Sequence, residues 1–404
     1  MRVNGRDTGI QWRPRAAALA QALADAGDIT DPVWQGVVSH VPRHVFVPHF
    51  AHTQATNKGT RYELVTGADP AQRAAWLDGV YSDTTLLTQV EGRSVEELFA
   101  SGPGYGRHSS SSTAPSLMTS ALQALGLHDG DDVLEVGTGT GYNAALLTER
   151  LGAEHVTTVD IDPNLVERAR QRLAEAGYHP TVLAGDGRLG SPKHAPYDRV
   201  ISTFGLPYVP PAWIAQTRPG GRILTNVTGL IGGAMLLADV HDDERASGRF
   251  LPRWAGFMPS RHPQPAVAPY ASEYVTGHTA LDPALLDDLA FAFFAQLHLP
   301  GVRRYAATHE DGRELVGVRA ADSSWAEVYE PDSTGRRRYL EQGGPRRLWD
   351  AVESAHRVWV EHHKPDWTRF TFAAGPGQQV VTLRADDGSE VDRWELPLEG
   401  EDFA

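Results

Sequence analysis

Cysteine is absent from all 404 residues, which excludes disulfides, thiolate metal sites and cysteine nucleophiles together. Basic charge is scarce as well: 37 Lys and Arg face 51 Asp and Glu, a formal net charge of -14 at pH 7. Broad contact with nucleic acid or an anionic membrane needs clustered Lys and Arg to neutralise phosphates, so neither is expected as a partner. No uninterrupted apolar run reaches transmembrane length, and Met1-Arg-Val-Asn-Gly-Arg-Asp7 lacks the apolar core of a signal peptide. A cytoplasmic protein is the expectation. His356, His362 and His363 have no metal-type spacing with carboxylates, so no metal is expected. Internal repeats and long low-complexity segments are missing too.

What is present centres on Asp132-Val-Leu-Glu-Val-Gly-Thr-Gly-Thr-Gly141. Val133 to Val136 reads as a buried parallel strand broken only by Glu135. Gly137, Gly139 and Gly141 then let the backbone turn sharply and approach a ligand without Cβ atoms in the way. A helix from Tyr142 to Leu151 follows. Strand, glycine turn and helix start make a cradle for a nucleotide-type ligand. The dinucleotide pattern G-x-G-x-x-G fits imperfectly, because Tyr142 or Ala144 stands where its third glycine belongs. The run Val156 to Ile161 carries Asp160 about 20 residues further on, where such sheets set an acid against ribose hydroxyls. Asp162-Pro163 reads as the N-cap and first position of the next helix.

The turn Glu135-x-Gly137-x-Gly139-x-Gly141 resembles the E/D-x-G-x-G-x-G turn of class I S-adenosylmethionine-dependent methyltransferases. Within that class, Val41-Pro-Arg-His-Val-Phe-Val-Pro48 is similar to the V-P-R-x-x-F-V-P segment of protein L-isoaspartyl methyltransferases. Tyr81-Ser-Asp83 with Leu86-Leu87, Ser112-Thr-Ala-Pro-Ser-Leu-Met118 and Gly185-Asp-Gly187 resemble further segments of that family. So do Ala195 to Ile201, Leu206 to Pro211 and Pro219 to Leu224, in the family's order. The likeness covers residues 30 to about 240. Thr53 to Gly79, Val90 to His108 and everything beyond about 241 depart from the compact repair enzyme. With the serine run Ser109 to Ser112 and Gly248-Arg-Phe-Leu-Pro252, these additions look like the branch that matures ribosomal peptides, lanthipeptides or graspetides.

The resemblance implies an α/β fold: a class I, Rossmann-like, doubly wound sheet with N-terminal helices and an added C-terminal α+β domain. The expected domains are 1–110 (helices and insertions over the active site), 111–240 (cofactor-binding) and 241–404 (peptide-binding). S-adenosyl-L-methionine is the implied cofactor, held by Glu135, Gly137, Thr138, Gly139, Gly141, Asp160, Ile161, Asp186 and Gly187. Asp186 would accept from the adenine amino group, or else belong to a plain Asp-Gly turn. Thr113 and Ser112 are the implied catalytic residues, with Thr113 on the acceptor carboxylate or, in a structural role, capping the helix that starts near Pro115. Ala114, Pro115, Ser116 and Phe204 would line the substrate side, and Asp198 would be structural.

The implied reaction is methylation of an aspartyl carboxylate in a macrocyclised precursor peptide, whose ester closes to succinimide and opens to isoaspartate. A general isoaspartate repair enzyme and a nucleotide-binding protein without transfer activity are the alternatives. Further along, Asp282-Pro283 predicts an apolar helix Ala284 to Leu299, and 262–269 a proline-rich linker. Glu314 to Arg319, Trp325 to Tyr329 and Gln379 to Arg384 alternate as strands, with a helix from about Pro345 to His363. Arg336-Arg-Arg338 and Arg346-Arg347 are basic spots, suited to an acidic peptide or to solvated turns.

Overall fold

The computed structural model describes residues 11–56, 59–100, 106–253, 256–261, 269–309, 312–331 and 337–398. It divides into two compact units, Met1–Thr203 with Gln216–Leu224, and Phe204–Ala215 with Thr225–Ala404. These divisions fall inside strands Tyr197–Leu206 and Thr217–Thr228, not at 110 or 240.

In the first unit, Thr181–Ala184, Val156–Asp160, Val133–Val136 and Tyr197–Leu206 lie side by side in that order. All are parallel. The first strand in sequence therefore stands between the second and the fourth, and the order reverses there, which opens a crevice at the C-terminal strand ends. Val133–Val136 is buried at every position, as its apolar run requires. Helix Tyr142–Leu151 follows it, and helix Pro163–Ala176 follows the second strand. Asp162 caps the latter by accepting from the Asn164 and Leu165 amides, with proline at the first helical position. Gly177, at φ 86°, closes it in the left-handed conformation.

Before this sheet come helices Arg13–Asp25 and Pro32–His40, the second capped by Asp31. The octet after them holds a short helix, Arg43–Phe46. A small antiparallel sheet consists of Gly59–Thr66, His49–Thr56, Leu86–Val90 and Arg93–Ser94, with His108–Ser112 beside Leu86–Val90. The serine run is thus a strand rather than a loop. Its pairing with Leu86–Val90 buries Ser110 and Ser112.

In the second unit Glu390–Glu395, Gln378–Arg384, Phe370–Gly375, Ala246–Phe250 and Gly233–Val240 form successive antiparallel neighbours. The end of the chain therefore returns to strands far earlier in sequence. A second antiparallel sheet runs Tyr274–Thr279, Arg338–Gly343, Trp325–Pro331, Glu314–Arg319, Arg303–Thr308. Helix Leu348–Glu361 packs on this sheet, and helix Leu289–His298 packs on that helix and on strand Gly233–Val240. The helix expected from Ala284 is split: Pro283–Asp287 makes a 3-10 turn, and Asp288 then caps the α-helix through the Ala290 and Phe291 amides. Phe291, Phe293 and Phe294 are core, packed on Trp359 and Phe370. Arg338 pairs with Asp282 and Arg346 with Asp322, both at 2.7 Å, so these two arginines are engaged within the chain. Residues 262–268 of the expected linker, and Arg336, lie outside the described residues. Among the described residues no helix is long and apolar enough to cross a membrane.

Asp288→Ala removes both cap hydrogen bonds and is expected to cost about 1 kcal/mol of stability. Urea unfolding checks this against Asp288→Asn, which retains the cap. Equal midpoints for the two variants would show that the cap contributes nothing.

Candidate active site

At the end of Val133–Val136 the glycine turn takes left-handed values, φ 102° at Gly137, 51° at Gly139 and 88° at Gly141. Only glycine accepts three such angles in five residues without strain. The turn is fastened to its neighbouring strand: the Gly137 and Thr138 amides donate to the Val159 carbonyl at 2.8 and 3.3 Å. The Gly139 amide donates to Asp160 Oδ2 at 2.9 Å. On the other side, the Thr203 hydroxyl donates to the Gly137 carbonyl at 2.6 Å. A Cβ on Gly141 would stand 3.2 Å from the Ala169 Cβ, so this glycine lets helix Pro163–Ala176 close in. A Cβ on Gly139 would stand 3.8 Å from both Ser110 Oγ and the Ser111 carbonyl. The serine strand therefore passes directly over the turn.

Beneath the turn, Glu135 is wholly buried. Thr158 Oγ1 donates to it at 2.6 Å and Asn143 Nδ2 at 2.8 Å. Burial pushes its carboxyl up to about 7, against the pull of those two hydrogen bonds. Glu135 is thus an internal tie between helix and neighbouring strand rather than an exposed ligand group. Thr138 shares a 2.6 Å hydrogen bond with Thr158 and is equally inward. Asn143 Oδ1 is buried and has no hydrogen-bond partner. Asp160, 6% exposed, also accepts from the Asp162 amide at 3.0 Å, and Ile161 beside it is 42% exposed. At the third strand's end Asp186 caps a short turn through the Arg188 amide at 3.0 Å. The Arg188 guanidinium holds the same carboxylate at 2.9 Å. Gly187 is buried in that turn. Asp198 is held by Arg218 and accepts from the Asp132 amide; burial opposes ionisation, but those hydrogen bonds lower its pKa overall.

The loop from Ser112 to Ser116 is organised by Arg43, which is fully buried. Nη1 donates to the Val80 and Ser82 carbonyls at 2.9 Å each, and Nη2 to those of Thr84 and Thr113 at 3.1 Å each. Nε and Nη2 also reach Ser112 Oγ at 3.4 and 3.3 Å. One guanidinium thereby joins the 80–84 segment to Ser112 and Thr113. The Ser112 hydroxyl is consequently turned inward. Thr113 is half-buried, and its hydroxyl makes no hydrogen bond among the described residues. Helix Pro115–Leu125 has Ala114 as its N-cap, so Thr113 does not cap it. Two amides at the start of this helix are engaged: Ala114 donates to Thr85 Oγ1 at 3.1 Å and Ser116 to Asp83 Oδ1 at 2.8 Å. Phe204 belongs to the second compact unit, where it stacks edge-to-face on Trp213 at 6.3 Å.

Sequence reading therefore did not assign roles to Arg43, Asp83, Asn143, Thr158 or Arg188. Arg43 and Asp83 lay inside quoted motifs, and only their partners in space reveal their work. The three left-handed glycines, Asp160 at the adjacent strand end and the orphaned acceptor of Asn143 beside Glu135 fit a nucleoside ligand with a cationic tail. Thr113, free to donate, is suited to an anionic acceptor. Among the described residues no His, Asp and Glu group suits a metal.

A family profile described as Protein-L-isoaspartate(D-aspartate) O-methyltransferase (PCMT) matches residues 99–247. The chain is similar to the protein-L-isoaspartate O-methyltransferase of Ignicoccus hospitalis, 48% identical over 117 residues, 28% of this chain and 56% of that protein. It thus spans about half the length of that relative. It is also similar to protein-L-isoaspartate O-methyltransferase 1 of Anaeromyxobacter sp. (strain Fw109-5), 35% identical over 231 residues, 57% of this chain and 87% of that one. A solved structure of a protein-L-isoaspartate O-methyltransferase aligns at TM-score 0.50 and 19% identity, covering 91% of this chain and 98% of its own. The fold is accordingly the class I methyltransferase fold with a further C-terminal region rich in strands. Coverage of that extent takes in residues beyond 240, so the C-terminal addition has a structural counterpart in that protein.

Because Glu135 holds its proton up to about pH 7 when folded, but only to about 4.3 when unfolded, the native state binds the extra proton between those values. Its contribution to stability is full below pH 4.3 and is lost as pH rises towards 7. Glu135→Gln is expected to flatten that fall, as measured by urea midpoints across pH 4.5–8. Parallel wild-type and variant curves would refute it.

Proposed function

This chain belongs to the protein-L-isoaspartate O-methyltransferase family, and from that premise we propose that it is an S-adenosyl-L-methionine-dependent carboxyl O-methyltransferase acting on isoaspartyl residues. The observation that carries this reading is the close passage of the serine strand over Gly139, which brings the Ser112–Thr113 loop to the ligand cradle. The cofactor, when bound, supplies an electrophilic methyl group on a sulfonium. The chain's residues do the rest by placement. Gly137, Gly139 and Gly141 leave room for the ligand, Asp160 receives the ribose hydroxyls and Ile161 packs on the adenine. Asp186 accepts from the adenine amino group in competition with Arg188. Thr113 donates to one oxygen of the acceptor carboxylate, Ala114, Pro115 and Ser116 shape its surroundings, and Ser112 supports the loop through Arg43.

A side-chain carboxylate is already anionic near neutral pH, so no base has to remove a proton. Its oxygen forms the bond to carbon as the sulfur–carbon bond breaks, giving a methyl ester and a neutral thioether. Orientation and exclusion of water supply the rate. The ester is then attacked by the following backbone amide, methanol leaves, and water opens the succinimide to aspartate or isoaspartate. That step needs nothing further from the enzyme.

The narrower reading, an aspartate in a macrocyclised ribosomal peptide, rested on the serine run, Gly248 to Pro252 and the C-terminal addition. The first two have another explanation. The serines pair as a strand, and a Cβ on Gly248 would stand 2.5 Å from the Leu237 carbonyl, so packing alone demands that glycine. General isoaspartate repair is therefore the better supported reading.

Mass spectrometry of methyl incorporation decides between them. An isoaspartyl peptide is expected to be methylated and its aspartyl twin not; methylation of an aspartate only within a macrocycle would reverse the assignment. Gly139→Val is expected to abolish cofactor binding in calorimetry while circular dichroism stays native, and full binding would remove the glycine turn from the site. Thr113→Ala should lower kcat about 10- to 100-fold with cofactor affinity unchanged, as befits one hydrogen bond to an anion. An unchanged kcat would exclude Thr113.

A further inference from the structure

A groove of about 540 Å³ opens in the first unit between helix Arg13–Asp25 and residues 81–83. That volume lies in the range of ligand-sized clefts, about 300–1,000 Å³. Ala18 and Ala22 line it from one face of the helix and are exposed. Side chains this small leave the groove open along its length. Its charges are one-sided. Asp28, Asp78 and Asp83 face one cation, Arg15, which is engaged with Asp78 at 3.0 Å.

The groove is continuous with the acceptor loop. Its end residue Asp83 fixes the Ser116 amide through Oδ1 at 2.8 Å, while its other oxygen makes no hydrogen bond among the described residues. The flanking carbonyls of Ser82 and Thr84 are held by the same Arg43 that holds Thr113. Groove wall and acceptor loop are one piece.

We propose that this groove holds the stretch of substrate chain next to the methylated residue, and that it selects a basic side chain there. The inference rests on the methyltransferase reading and deepens it. The acceptor's own negative charge is directed to Thr113, on the Arg43 side, and a neighbouring Lys or Arg to Asp83 and the acidic groove. Opposite charges at the two ends fix the direction in which a peptide lies, and like charge at the wrong end disfavours the reverse.

The test uses two fluorescent isoaspartyl peptides differing in one residue near the acceptor, lysine in one and glutamate in the other, with the full-length chain and its Ala22→Lys and Ala22→Glu variants. Position 22 is an exposed helix site where both residues are good helix formers. Anisotropy is expected to show the lysine peptide bound about three- to fivefold more tightly by the wild type, the scale of an exposed ion pair. Ala22→Lys should erase that preference and Ala22→Glu enlarge it, with cofactor affinity constant in all three. A peptide ratio identical in the three proteins, or no peptide binding at all, would overturn the groove assignment. Methyl incorporation is read in parallel. Charge-selective binding without methylation of either peptide would overturn the enzymatic reading and leave the groove standing, whereas methylation with unaltered ratios would overturn the groove alone.

Discussion

The arrangement depends on a single buried cation. Among the described residues Arg43 has no carboxylate within ion-pair distance, and its donors go to five main-chain carbonyls and one hydroxyl. Taking a guanidinium out of water costs several kcal/mol unless every N–H is satisfied, which is why the acceptors must be exact in number and direction. Burial lowers its pKa, with the charges of Tyr142, Asp83 and Tyr81 opposing, yet a guanidinium remains ionised at any physiological pH. The geometry of the 80–84 segment and of Ser112–Thr113 follows from that demand. Its plane also lies over the Tyr142 ring at 5.6 Å, so the first residue of the helix behind the glycine turn is tied to the same point.

From that anchor the two halves of the site are brought to one place by different means. The cradle is local: three glycines and the residues within a turn of them set its shape, and Asp160 secures it through the Gly139 amide. The lid is not local. Gln89 receives a hydrogen bond from Ser109 and donates to Asp162, so the small antiparallel sheet is fastened to the helix that follows Asp160. Asp162 therefore serves both the helix that it caps and the strand above it, while Asp160 holds the Gly139 and Asp162 amides. A ligand entering the cradle meets acceptors already oriented, which lowers the entropy of ordering them on binding.

What was legible in the sequence follows the same division. The glycines, the Asp162-Pro163 helix start and the alternation of Glu314 to Arg319 act within a few residues, and each lies in the element its pattern implied. The inward turn of Ser112 depends on Arg43, 69 residues away, and the engaged Ser116 amide on Asp83, 33 away. No local pattern announces either. The division of the chain was hidden for a stronger reason: Ala246–Phe250 pairs with Phe370–Gly375 across more than a hundred residues, and period-two patterning says which face a strand buries but not which strand it meets. Gly248 shows the reverse error, a packing requirement that looked like a family mark.

The chemistry of the acceptor can be argued from what surrounds Thr113. A hydroxyl or ammonium acceptor would need a base of matched pKa to remove its proton. His44, the histidine beside Arg43, is bonded to Tyr81 at 2.7 Å and its pKa is lowered by burial to about 4, so it is neutral but committed. Asp83 is committed through one oxygen to the Ser116 amide. Glu135 is sealed beneath the turn. What remains at the loop is a free hydroxyl donor with a buried positive charge behind its carbonyl, an environment that stabilises an anion and abstracts nothing. An acceptor that arrives already ionised is the one such a site can use, and a side-chain carboxylate meets that condition at neutral pH.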